Sequence, residues 1–165
     1  EILSIIQSDV SSATDIHSET FKDLVIRAIR TKVNVVSHDF KESNLRETLN
    51  YGHTLGHAIE SVEHFKIRHG HAVAIGMCFA AELGRLTGKL STEIADRHKR
   101  ILELVGLPTN YNKAAWTALY KAMQVDKKSR AGMLRFVVLT DLGKTTILEA
   151  PTEELLYQAF LEIAE

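Results

Sequence analysis

The sequence predicts a mainly α, multi-helical domain with a small β-hairpin near residues 134–148. Three observations carry this expectation. Apolar residues recur at helical period through most of the chain, only Pro108 and Pro151 punctuate it, and a single region reads as strand.

The elements follow in order. Phe21, Leu24, Val25, Ile29 and Val33 share one stripe, which predicts a helix with an apolar face. The stretch from Arg46 to Glu60 also reads as helix. Ala72, Gly76, Ala80 and Gly84 recur every four residues, a seam of small residues that lets another helix pack very closely. Ile94, Ile101, Leu104 and Val105 mark a further helix, ended by Gly106-Leu107-Pro108. Leu134–Leu139 and Thr145–Leu148 read as two strands around Asp141-Leu142-Gly143-Lys144, a hairpin with a glycine-containing turn. Pro151 opens a last helix, with Thr152 as its N-cap and Glu153 and Glu154 in the first turn.

Length and composition bound the function. A chain of 165 residues fits one domain, and 45% hydrophobic with 25% charged residues is globular composition. A net charge of −1 supplies no global basic field for nucleic acid or an anionic membrane. A lone cysteine, Cys78, excludes an intrachain disulfide and a Cys-based zinc finger, and fits a reducing, cytoplasmic setting. No apolar run approaches the ~20 residues of a membrane span. The first residues are too short and too acidic for a signal peptide. No G-x-G-x-x-G, P-loop or strand–helix alternation occurs, so the chain offers no dinucleotide-binding unit.

The chemistry concentrates in Arg46 to Glu60. On a continuous helix, with about 100° per residue, Arg46, Asn50, His53 and His57 share a strip roughly 60° wide. A guanidinium, an amide and two imidazoles on one face are unlike a solvated Lys/Glu face. Gly52 and Gly56 beside that face each cost about 1 kcal/mol in a helix, so close approach of a backbone or a ligand is expected there. His53 and His57 have the i, i+4 spacing of paired metal ligands. Thr54 stands where a zinc protease needs Glu, which excludes that mechanism. Spacing leaves open whether both histidines are ligands. His69 and His71, at the start of the small-residue helix, are candidate ligands, caps or surface groups. His17, His38, His64 and His98 are expected at the surface.

Two motifs and their spacing, Leu49-Asn50-Tyr-Gly-His53-Thr-Leu-Gly-His57-Ala-Ile-Glu60 and His69-Gly70-x-Ala-Val-Ala-Ile-Gly-Met77, closely resemble the 3-dehydroquinate synthase family. Lys32-x-x-Val-Val-x-x-Asp39, Gly106-Leu-Pro108 and Asp126-Lys127-Lys128 extend the resemblance over most of the chain. The family converts 3-deoxy-D-arabino-heptulosonate 7-phosphate to 3-dehydroquinate and phosphate in the shikimate pathway. Its members pair an N-terminal NAD-binding domain with a C-terminal helical domain. The resemblance therefore implies that residues 1–165 are a C-terminal domain, inactive without its NAD-binding half. It implies one Zn2+ or Co2+, with His53 and His69 as ligands and a third ligand, a Glu, upstream of residue 1. It gives His57 a catalytic and substrate-facing role in proton movement at the phosphate end. Lys32, Arg46, Asn50 and Lys127 map onto substrate-binding positions. NAD+ falls to the other domain, the substrate is a phosphorylated sugar acid, and the complete enzyme is expected to be a homodimer. His71 departs from the acidic or small residues common in the family. A sibling sugar-phosphate cyclase, a metal-dependent glycerol or alcohol dehydrogenase, and a non-enzymatic helical anion- or metal-binding scaffold are the alternatives.

Overall fold

A computed structural model describes residues 1–39, 46–129 and 133–165, with the side chains of residues 126–129 outside the description. Its described residues form eight α-helices and one antiparallel hairpin. Helices α1 (Ile2–Ser8), α2 (Val10–Thr14) and α3 (Glu19–His38) pack on one another at the N-terminal end. A 3-10 turn, Arg46–Asn50, leads into α4 (His53–Val62), followed by α5 (His69–Leu86) and α6 (Thr92–Leu104). A second 3-10 turn, Lys113–Ala115, precedes α7 (Trp116–Ser129); β1 (Arg135–Asp141), β2 (Lys144–Glu149) and α8 (Glu153–Leu161) complete the fold.

Helix α5 is the hub, meeting α4, α6, α8 and β1. Its Ile75, Phe79 and Leu83 are buried against Leu55 and Ile59 of α4, Leu119 and Met123 of α7, Phe136 and Val138 of β1, and Phe160 of α8. Each such side chain contributes roughly 1.5–3 kcal/mol through lost apolar hydration. The small-residue seam sets how near the neighbours come. A Cβ at Gly76 would collide with the carbonyl oxygen of Gly52. At Gly84 it would lie 3.0 Å from the carbonyl oxygen of Leu139 on β1.

The N-cap expected at Thr152 is present, and Ser18 and Ser91 cap two further helices in the same way. Ser18, Ser91 and Thr152 accept hydrogen bonds from the amides of Phe21, Ile94 and Leu155. Such a cap contributes about 1 kcal/mol. Helix α6 ends at Leu104, just before Gly106-Leu107-Pro108. In the hairpin, Phe136 pairs with Leu148 and Leu139 with Thr145.

Two expectations need correction, and one helix that forms as expected leaves its apolar face open. Arg46 to Glu60 is not one continuous helix, because Gly52 takes φ +79°, a left-handed conformation that separates the 3-10 turn from α4. The shared angular strip therefore holds for His53 and His57, and Arg46 and Asn50 reach the site on a different element. His98 is buried, only 6% exposed, because it sits on the inward stripe of α6 with Ile101. The apolar stripe of α3 covers no core. Val25, Ile29 and Val33 are 41%, 57% and 60% exposed, and α3 has no buried residue. No helix among the described residues is long and apolar enough to cross a membrane.

Candidate metal centre

The residues Tyr51 and Gly52 turn the chain so that α4 begins at His53. One helical turn later His57 projects from the same side. The link after α4 passes through left-handed residues His64 and Phe65 and returns the chain to His69, the first residue of α5. Three imidazoles meet there. The ring centroids of His53 lie 5.3 Å from those of His57 and of His69, and His57 and His69 stack 6.1 Å apart.

Each ring has its own surroundings. His53 is half-buried, and its Nδ1 donates to the Tyr51 carbonyl at 3.2 Å, which leaves Nε2 for another partner. Its pKa lies below the ordinary 6.5, chiefly because burial penalises the charged ring, with His57 and His69 adding repulsion against the opposing Tyr51 hydrogen bond. His69 is exposed, and its Nδ1 lies 3.0 Å from Oε1 of Glu60. His57 is exposed and makes no hydrogen bond among the described residues. Ligand atoms of His57, Glu60 and His69 all lie within 4.8 Å of one another.

This donor set fits a divalent transition metal. Imidazole nitrogens with a carboxylate suit zinc or cobalt. Donors around one tetrahedral zinc stand roughly 3.3 Å apart, so rotation of exposed rings closes a spread of this size. A ligating histidine ordinarily donates its second ring nitrogen to a carbonyl or carboxylate, which is what Tyr51 offers His53 and Glu60 offers His69.

The expected substrate residues are placed less evenly. Arg46 and Asn50 lie on the 3-10 turn directly before α4, and the Arg46 amide is held by Oδ2 of buried Asp39 at 3.0 Å. Glu47 of the same turn pairs with Arg135 on β1. Lys32 is exposed on α3, with no hydrogen bond or ion pair to the histidines among the described residues. Lys127 lies on α7, and its side chain is outside the described residues. His71 is half-buried and makes no ring contact with the other three among the described residues. Beside His57 a cleft of about 280 Å³ opens between α4 and α7, lined by Thr54, Ser61, Met123 and Val125. Sequence reasoning missed Glu60 as a partner of the cluster. The signal was available, since Glu60 stands seven residues after His53 and three after His57 on the same face of α4.

The helical fold is one found in sugar-phosphate cyclases. It superposes on a 2-epi-5-epi-valiolone synthase from Streptomyces hygroscopicus solved with NAD+ and Zn2+ bound, at TM-score 0.87 and 18% identity, over 98% of this chain and 46% of that one. A 2-deoxy-scyllo-inosose synthase complexed with carbaglucose-6-phosphate, NAD+ and Co2+ matches at TM-score 0.75 and 22% identity, over 89% of this chain and 43% of that one. The chain belongs to the 3-dehydroquinate synthase C-terminal family, which matches residues 1–129. Curated 3-dehydroquinate synthases are similar along nearly its whole length. Those of Leifsonia xyli and Rhodococcus erythropolis are 53% and 54% identical over 99% of this chain. The chain spans about half the length of these relatives, 46% and 44% respectively.

Proposed function

We propose that this chain is the metal- and substrate-binding half of a 3-dehydroquinate synthase, a carbon–oxygen lyase acting on 3-deoxy-D-arabino-heptulosonate 7-phosphate. The observation that carries the reading is the meeting of three imidazoles from α4 and α5, two of them with a second nitrogen already committed to an oxygen. Identity above 50% to curated synthases favours this enzyme over a sibling cyclase.

His53 and His69 hold the metal through Nε2, oriented by the Tyr51 carbonyl and Glu60. The third ligand, a Glu, comes from sequence preceding residue 1. Bound Zn2+ or Co2+ supplies Lewis-acid polarisation, and NAD+, held mainly by the other domain, supplies a reversible hydride acceptor. His57 is exposed beside the cleft and moves a proton at the phosphate end of the substrate. Arg46, Asn50, Lys32 and Lys127 bind the carboxylate, phosphate and hydroxyl groups, for which guanidinium, ammonium and amide donors are suited. The complete enzyme is cytoplasmic and dimeric on this reading.

Calorimetric titration with Zn2+ and Co2+ tests it. Stoichiometric binding that His53→Ala abolishes is expected. In the complete enzyme, His57→Ala keeps the metal and loses turnover by about 100-fold or more, whereas His53→Ala loses both. Metal loss from His57→Ala would overturn this division of roles.

A further inference from the structure

Half-buried Tyr51 and buried His98 take no part in the proposed reaction, yet they join α6 to the histidine cluster. The Tyr51 hydroxyl donates to the Met77 carbonyl of α5 at 2.9 Å, and its oxygen lies 3.5 Å from Nε2 of His98. The two rings meet edge-on at 5.7 Å. Because the hydroxyl proton points to Met77, its oxygen is free to accept, and Nε2–H of His98 is the donor facing it. That tautomer leaves Nδ1 bare, and His98 Nδ1 is the single buried side-chain nitrogen or oxygen without a hydrogen-bond partner among the described residues. A buried histidine with one nitrogen unsatisfied is costly, so the contact made by the other nitrogen calls for a role. The backbone of Tyr51 supplies one. Its carbonyl accepts from Nδ1 of His53.

We propose that His98 is a positioning residue for the histidine cluster: by seating the Tyr51 ring it fixes the carbonyl that sets the tautomer and aim of His53. The proposal rests on the reading of His53 as a metal ligand. Burial keeps His98 neutral, with its pKa pushed down to about 4, so one tautomer serves across the physiological range.

The test has two readouts in the same protein. The first is the ring-nitrogen NMR shifts of His53 without metal; the second is the affinity for Co2+ and its absorption spectrum. His98→Phe keeps the volume and loses the donor, and Tyr51→Phe removes the phenol oxygen. Each is expected to release His53 from its single Nδ1–H tautomer and to weaken Co2+ binding about tenfold. His98→Gln, which restores a donor, is expected to recover both. The double variant is expected to lose no more than either single one. Circular dichroism and melting report whether each variant remains folded. A His53 ring that stays Nδ1-protonated in folded His98→Phe overturns the proposal, whatever the metal does. Failure of the parent protein to bind Co2+ strikes the metal reading instead, and the metal-free NMR comparison still decides the positioning role.

Discussion

In an unfolded chain His98 would take up a proton near pH 6.5, but in the fold it stays neutral down to about 4. The folded value is depressed, so the unfolded state binds more protons between these limits. Stability is therefore complete above about 6.5 and falls as the pH drops toward 4, by roughly 3 kcal/mol at most. Melting curves at pH 7.5 and 5 should show this loss, and His98→Phe should make it smaller. His98 was legible as a buried position but not as a buried histidine. It lies four residues after Ile94 and three before Ile101, on the very stripe that identified the helix, while its residue type argued for the surface. Glu60 illustrates the same point, since its place on the α4 face follows from counting, yet only the fold brings His69 within reach of it. His53, His57 and His69 needed motif spacing to be singled out, and the close meeting of their rings needed the return of the chain at residues 63–68.

The pairing of α4 with α5 depends on glycine in a way that periodicity partly revealed. Close approach at Gly52 and Gly56 was expected from their cost in a helix, and the approaching group is the backbone of α5. The break at Gly52 was not expected, because i, i+4 counting continues smoothly through a residue whose φ is +79°. A Cβ at Gly52 would lie 2.6 Å from Met77 Cγ and 2.7 Å from its amide nitrogen. Gly76→Ala places a methyl against a main-chain carbonyl that cannot rotate away. A loss of about 3 kcal/mol is expected, read by chemical denaturation, with metal affinity falling in the same variant because α4 must shift. An unchanged midpoint would mean that the helices separate without cost. The hairpin and the cap at Thr152 were the most readable elements, since a cap acts locally and needs no distant partner.

At the scale of the whole molecule, the readable pattern says that a face is apolar and not what covers it. The stripe of α3 is as regular as that of α6, yet it lies open. Ile29→Lys is accordingly expected to change stability by less than about 0.5 kcal/mol, measured by thermal melting, whereas a core position such as Phe79, fully buried, should cost about 3–5 kcal/mol when truncated to alanine. The chain spans about half of its curated relatives, so it should release no phosphate from the sugar acid on its own. Phosphate release by the isolated chain, followed by a colorimetric assay, would show that the chemistry needs fewer parts than proposed. The contact between Gly52 and Gly76 has a kinetic consequence as well. It joins main chain to main chain, so neither helix can slide or turn without lifting the other, and amide protons near Gly56 and Gly76 should exchange with solvent only when the entire domain opens. On the proposed reading, an arriving ion would need only the imidazole rings to rotate and not the helices to part, so the helix pair would not limit its entry.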